Sequence, residues 1–504
     1  MKTLRRLVMS SLMACVPLST VLASGAVHTA VETGHDRVLN IPGGILMSLI
    51  MFLVIVLVAT EKVHRTLVVF FIASSLIFLT HVFGTFFPGL QFLTLDQAFS
   101  SIDGEVIALL FAMMIVVWVM AQTHVFEWLA AKLFKISKGN LTVLFFLFIF
   151  ITAIVSAILD NVTTMFLITP VAISIAKVFK LRAVSLVVPM IIFSNIWGAA
   201  TLIWDPPNIM IWSYANLSFN AFLMNMGLPV LGIMLVIAAK LYFIYKKELS
   251  AHSKIKNFDK VCKQMEKEYK LRHKKLLKAS LICLIFIVIF FFLHHNFHMP
   301  AAAPALMWAA LLMLARDRLI RRKFGRGHKS RELMEEKIHE TFSKDVEWLV
   351  LGFFIFLFMI VGAVEHTGIL DLVAVFIQDS FGDNLLLCAL AILWISAIFS
   401  AFLDNIPFTA VMLPVVGKLV GDYAMLGIDA GFLWWALAFW ACLGGNGTII
   451  GASANIVAVG ILEKHKCHLG FLEYMKVAFP SMLVQVALAS IAVYFMFAQV
   501  VMPV

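Results

Sequence analysis

The chain has 504 residues, of which 62% are hydrophobic and 13% charged, with a mean hydropathy of +0.98. Ordinary soluble domains carry about 25% charge, so the composition leaves no room for a large soluble domain and describes an all-α polytopic membrane protein. The formal charge of +10 does not imply nucleic acid, because Lys246 to Lys278 alone holds twelve Lys/Arg against four acids between apolar stretches. Retention of positive loops on the inner side accounts for that segment.

From the amino terminus, residues 1–23 read as a signal peptide: Lys2, Arg5 and Arg6, then the apolar run Leu7 to Leu22, then Val21-Leu-Ala23 as a small-residue cleavage site. An uncleaved first helix is the alternative. The first transmembrane repeat is expected over 44–245. Spans near 44–60 and 66–84 flank the short basic loop Glu61-Lys62-Val-His64-Arg65, which the charge rule places inside. A span at 105–122 returns to the inner side at Lys132, Lys135 and Lys138. The apolar run Leu141 to Leu159 then reaches Asp160-Asn161, and a second run ends at Lys177, Lys180 and Arg182. Basic residues on both flanks predict a re-entrant hairpin with Asp160-Asn161 at its tip. Such non-helical backbone is tolerated only where protein lines a cavity.

The next segment, Ser194-Asn195-Ile-Trp-Gly198-Ala-Ala-Thr201-Leu-Ile-Trp204-Asp205-Pro206-Pro207-Asn208, cannot be one continuous helix, because two prolines remove donors and clash with the preceding turn. A span near 226–245 closes the first repeat, and 246–278 forms a basic cytoplasmic loop. The second repeat, 279–497, follows the same order: spans near 279–295 and 300–315, a cytoplasmic loop at 316–347, and a span at 348–364. A second hairpin around Asp404-Asn405 comes next, flanked by Asp379, Asp383, Asp422 and Asp429. A second broken segment, Gly444-Gly445-Asn446-Gly447-Thr448-Ile-Ile-Gly451-Ala-Ser453-Ala-Asn455, precedes the last span near 478–497.

The two halves share more than order. Ser156-Ala-Ile-Leu-Asp160-Asn161 recurs as Ser400-Ala-Phe-Leu-Asp404-Asn405 at an offset of 244 residues, which also pairs Pro170 with Pro414, Asp103 with Glu347 and Thr123 with Thr367. Each half has five crossings (one broken) plus one re-entrant hairpin. Five is odd, so the second copy is expected upside down relative to the first. Inverted repeats with paired broken helices are a secondary-transporter plan.

The chemistry follows from these breaks. Unwound carbonyls and half-helix carboxyl ends ligate small cations. The amides of Asn161, Asn195, Asn208, Asn405, Asn446 and Asn455 and the hydroxyls of Ser156, Ser400, Ser453, Thr201, Thr409 and Thr448 add hard oxygen donors. A carboxylate taken out of water at Asp160, Asp205 or Asp404 holds either a proton or Na+, and competition between the two suffices for exchange. Aspartate and asparagine are also strong helix caps, so capping alone is the bland alternative at each tip. The six cysteines, Cys15, Cys262, Cys283, Cys388, Cys442 and Cys467, lack CxxC spacing and read as free thiols. No P-loop or nucleophile motif is present, and no enzyme activity is expected.

At these motifs the chain resembles the ion transporter superfamily that includes NhaD-type sodium/proton antiporters, arsenite permeases, the melanosomal P protein and dicarboxylate/sodium symporters. The carrying segments are Ala-Thr201-Leu-Ile-Trp-Asp205-Pro-Pro-Asn208, Leu-Asp404-Asn405-Ile-Pro-Phe-Thr409 and Gly-Gly-Asn446-Gly-Thr448-Ile-Ile-Gly-Ala-Ser453-Ala-Asn455. Acids in both hairpins and the signal-like amino terminus are most similar to the NhaD type. The resemblance implies a Na+(Li+)/H+ antiporter of the bacterial inner membrane, with Ser156, Asp160, Asn161, Asn195, Asp205, Ser400, Asp404 and Asn405 handling the ion. An arsenite, oxyanion or dicarboxylate permease is the alternative on the same fold. The expected partners are Na+, H+, the lipid bilayer and a second copy of the chain as a homodimer, with no nucleic acid and no cofactor.

Overall fold

A computed structural model of the chain describes residues 41–501 apart from 61–62, 85, 87–90, 158, 201–204, 252–257, 295, 298, 325–331, 333, 337–338, 340–341, 344–345 and 382–383. The expected signal peptide, 1–23, lies outside the described residues. In the first half, α1 (Ile41–Thr60), α2 (Arg65–Phe83), the short α3 (Leu95–Ser100) and α4 (Gly104–Ala121) precede α5 (Val125–Ile136). The hairpin arms α6 (Leu141–Ser156) and α7 (Asn161–Phe179), the broken pair α8 (Val184–Gly198) and α9 (Pro206–Ala215), and α10 (Phe219–Ala251) complete it. A loop helix, α11 (Phe258–Glu268), leads to the second half. There α12 (Lys274–Leu293), α13 (Ala302–Phe324), α14 (Trp348–His366) and α15 (Ile369–Phe381) precede the arms α16 (Leu385–Ser400) and α17 (Asn405–Met425). The broken pair α18 (Leu433–Leu443) and α19 (Ser453–Lys464), joined through two 3-10 turns, and α20 (Phe471–Val501) end the chain.

The 244-residue offset reappears as matched helix ends. Asn140 and Asn384 both cap the first hairpin arm of their half, accepting from Val143 N at 3.2 Å and Leu387 N at 3.1 Å. Asp160 and Asp404 both cap the second arm, accepting from Thr163 N at 2.8 Å and Ile406 N at 3.0 Å. Thr123 and Thr367 both close the preceding span, each hydroxyl donating 2.6 Å to the carbonyl three residues back. Three caps at one spacing are more than chance similarity of polar punctuation.

Packing between the halves is reciprocal. α2 packs on α14 as α13 packs on α4; α7 packs on α19 as α17 packs on α9; α10 and α20 pack on each other. Each helix thus meets in the other half the counterpart of its own partner's mate, the pattern a two-fold relation between halves produces. The crossing runs through the centre, so each hairpin's second arm lies against the broken helix of the opposite half.

Two elements differ from the sequence reading. The stretches after the third span of each half, to which the sequence reading assigns no element, are the amphipathic helices α5 and α15. In α5, Phe126, Ala130, Ala131, Leu133 and Phe134 are buried, while Lys132 and Lys135 face outward. The lysines mark the exposed face of a helix, not a loop. Phe134 packs against Phe179 of α7 and, at 5.2 Å between ring centroids, against Phe258 of α11, and Lys135 pairs with Glu266 at 2.7 Å. The inter-repeat loop is therefore fastened to the base of the first hairpin.

Candidate ion site at the helix breaks

The first hairpin tip forms because helix α6 stops at Ala157 and the Asp160 side chain starts a new helix three residues later. One Asp160 oxygen, Oδ1, is used in that cap. Asn161 points the other way, into the protein. Ser156 Oγ donates to Asn161 Oδ1 at 2.5 Å, and Asn161 Nδ2 reaches Asp205 Oδ1 at 3.3 Å and Asn195 Oδ1 at 3.5 Å. Ser156 Oγ also lies 3.0 Å from Ser194 Oγ. The hairpin tip and the first broken helix are thus one polar unit.

Asn195 carries this unit into the other half. Its Nδ2 donates to both Asn446 Oδ1 and Asn455 Oδ1 at 2.9 Å. Asn446 Nδ2 in turn donates to Gln485 Oε1 at 2.8 Å, and Asn455 Nδ2 to the carbonyls of Gly445 and Thr448, both at 2.8 Å. Asn195, Asn446, Asn455 and Gln485 are all buried. With lipid outside, unmade hydrogen bonds here have no water to fall back on, which is why the amides interlock across the repeat interface.

The second tip uses the same parts differently. Asp404 Oδ1 caps α17, while Oδ2 accepts from Ser453 Oγ at 3.3 Å. Asn405 Nδ2 donates to Ala441 O at 2.8 Å. Thr448 Oγ1 donates to Ala401 O, closing the 3-10 turn onto the hairpin. Gly451 has to be glycine, because a Cβ there would stand 2.7 Å from Gly445 O, 3.0 Å from Ala401 O and 3.1 Å from Ser400 O. Three carbonyls therefore crowd one face of that backbone. Ser400 Oγ lies beside them, buried and, among the described residues, with no hydrogen-bond partner.

Most sequence-derived site residues are brought together. Ser156, Asn161, Asn195, Asp205, Asn446 and Asn455 form one connected network, and Thr448 supplies a carbonyl to it. Asn208 joins through a thiol: Asn208 Nδ2 lies 3.3 Å from Cys442 Sγ, which donates to Asp205 Oδ2 at 2.8 Å. Asp404 and Ser453 sit at the second tip, with Asp205 and Asp404 within electrostatic range of each other. Two residues stand apart. Thr409 Oγ1 bonds back to Asn405 O within its own helix at 2.7 Å, and Asp160 is held by its cap, half-buried at the tip. Thr201 and the neighbouring Trp204 lie outside the described residues.

Sequence reasoning missed Cys442, Gln485 and Arg65. Cys442 looked like one scattered thiol, although its position in an apolar run directly before Gly444-Gly445-Asn446 was a signal. It is the hydrogen-bond donor for Asp205 Oδ2. A hydrogen bond to a charged group contributes about 1.5–3 kcal/mol, so Cys442→Ala should lower the thermal unfolding midpoint of the purified protein in detergent. Cys442→Ser, which keeps a donor, should lower it less. Equal midpoints for the two variants would show that the donor is dispensable.

A polar crossing with paired breaks, buried amides and three acids defines a membrane transporter. The chain belongs to the citrate transporter family, whose model matches residues 55–440. It is 30% identical over 503 residues to the human P protein, covering 85% of this chain but 57% of that protein. The chain thus spans little more than half the length of that relative. It is 31% identical to an uncharacterized transporter of Mycobacterium bovis, covering 86% of this chain and 94% of the relative. Its fold is similar to that of the Alcanivorax borkumensis YdaH transporter, with a TM-score of 0.55 at 15% identity over 87% of this chain and 99% of that one.

Proposed function

We propose that this transporter exchanges Na+ (or Li+) for H+ across a bacterial inner membrane. The observation that carries the reading is a carboxylate at each break, Asp205 from the first half and Asp404 from the second, within electrostatic range of each other and set, with Arg65 beside Asp404, among buried amides, hydroxyls and carbonyls. Two carboxylates set against hard oxygen donors suit a small cation, and the same carboxylates bind protons in competition with it. An anion brought to the same place would meet both acids.

A cation between the breaks would be held by carboxylate oxygens of Asp205 or Asp404 and by the carbonyls near Ser400 and Gly451. Proton uptake at the same carboxylates would release it. An inverted orientation of the halves would let the two hairpins expose the site alternately, as in other repeat-built carriers. The family description, a citrate transporter, supports a second reading, a citrate or dicarboxylate permease in which cations at these acids accompany the anion.

Everted vesicles carrying an imposed pH gradient test both. Under the antiport reading, added NaCl should dissipate the gradient within seconds while citrate has no effect. Accumulation of radiolabelled citrate, with no response to Na+ alone, would overturn antiport in favour of the permease.

A further inference from the structure

The two hairpin tips have the same sequence plan but not the same electrostatics. At the second tip the Arg65 guanidinium, on the first residue of α2, donates from Nη1 to Ser453 Oγ at 2.7 Å and stands 3.8 Å from Asp404 Oδ2. Its Cζ also lies 5.2 Å from the Phe353 ring centroid of α14. Asp404 Oδ1 is already used in the helix cap, so Arg65 and Ser453 take up the one oxygen left for a cation. At the first tip, among the described residues, no Lys, Arg or His comes within ion-pair distance of Asp160.

Helix electrostatics make the placement more telling. A positive side chain at a helix N-terminus faces the positive end of the dipole and is disfavoured there. Arg65 begins α2, so its own helix does not explain its position. Asp404, Ser453 and the Phe353 ring do, and a second acid, Glu347 at the start of α14, also lies within electrostatic range of Arg65. The ion pair is loose at 3.8 Å, and the Arg65 side chain keeps 26% of its exposure. That geometry is one a competing cation can displace.

We propose that Arg65 is a tethered cation that occupies the Asp404–Ser453 position and is displaced by the transported ion. This deepens the antiport reading and rests on it. Arg65 holds the second tip neutral while no cation is bound, so Asp404 is not left there as a bare, largely buried carboxylate. A Na+ arriving at Asp404 Oδ2 replaces one positive charge by another, and the released guanidinium swings out with α2 and its neighbour α14. Arg65 thereby sets the concentration at which the site fills: where it holds the site about nine-tenths of the time, apparent affinity for Na+ is weakened about tenfold.

The test uses the full-length protein in two assays. In everted vesicles, the Na+ concentration giving half-maximal gradient dissipation should fall about tenfold in Arg65→Gln and stay near the wild-type value in Arg65→Lys, which keeps the charge. In detergent, the Na+-dependent rise in unfolding temperature, with choline chloride as control, should begin at correspondingly lower Na+ in Arg65→Gln. A wild-type protein that shows no Na+ flux removes the antiport reading, whatever Arg65 does. A wild type that responds to Na+ while Arg65→Gln has an unchanged or raised half-saturation overturns the tethered-cation proposal and leaves antiport standing. Should Arg65→Gln not fold, Arg65→Met, which keeps the apolar stem but not the charge, carries the same expectation, and an unchanged or raised half-saturation there would likewise overturn the proposal.

Discussion

Asp160→Asn and Asp404→Asn should each abolish Na+-dependent dissipation of a pH gradient while leaving the protein inserted and folded. Asparagine is as good a helix cap as aspartate, so each variant keeps the hydrogen bond to Thr163 N or Ile406 N and with it the start of the second arm. What it loses is a titrating oxygen and a charge. If capping were the whole role of these acids, both variants would transport normally. A loss of at least about a hundredfold, equivalent to roughly 2.7 kcal/mol, with an unchanged unfolding temperature in Asp160→Asn, separates ion handling from architecture; Asp404→Asn also gives up its ion pair with Arg65, so a lower unfolding temperature is expected there. Asp205→Asn is the informative third member. Asp205 has no capping hydrogen bond and accepts instead from Asn161 and Cys442, so its substitution should disturb both ion handling and the network. Glu105 would make a poor control, since its carboxylate accepts from Ala301 N at 2.7 Å and ties α4 to the start of α13.

What could be read from the chain was whatever recurs or breaks locally. The hairpin caps, the two broken helices and their asparagines announced themselves, because a polar pair or a proline pair within an apolar run interrupts the helix that would otherwise cross. The duplication then gave each feature a second witness. Amphipathic α5 escaped notice because lysines after a span satisfy the charge rule equally well as a loop; α15 carries no lysine, and Asp379 within it reads only as a flank of the second hairpin. Long-range partners left no local trace. Arg65 reads as an ordinary inner-side loop residue, yet its hydrogen-bond acceptor Ser453 is 388 residues away. Cys442 and Asp205 are 237 residues apart, and a thiol in an apolar run is usually a small hydrophobe. Gln485 sits alone in the last span, and only the crossing of α20 over the second break makes it a hydrogen-bond acceptor for Asn446.

Opposite-side labelling is the expected result for the two hairpins, and it decides the orientation of the halves. Helix length cannot decide it. At about 1.5 Å per residue, the 16-residue arms α6 and α16 fall short of a bilayer core of about 30 Å. Their partners α7 and α17, at 19 and 21 residues, are long and apolar enough to cross. The charge pattern argues for re-entry: Lys138 and Lys180 bracket the first hairpin, and the acids Asp379, Asp422 and Asp429 surround the second. Single cysteines at 138, 180, 379 and 426, all exposed positions, can be probed on intact cells with a membrane-impermeant thiol reagent; buried Cys442 can remain in the background. Labelling at 379 and 426 with protection at 138 and 180 is expected from inverted repeats. Labelling of one member of either pair alone would mean that its two arms together cross the membrane once. That outcome would take the corresponding aspartate off a re-entrant tip and remove the physical basis for alternating exposure. A cysteine in the basic loop at Lys270, protected in any topology that obeys the charge rule, gives the reference signal.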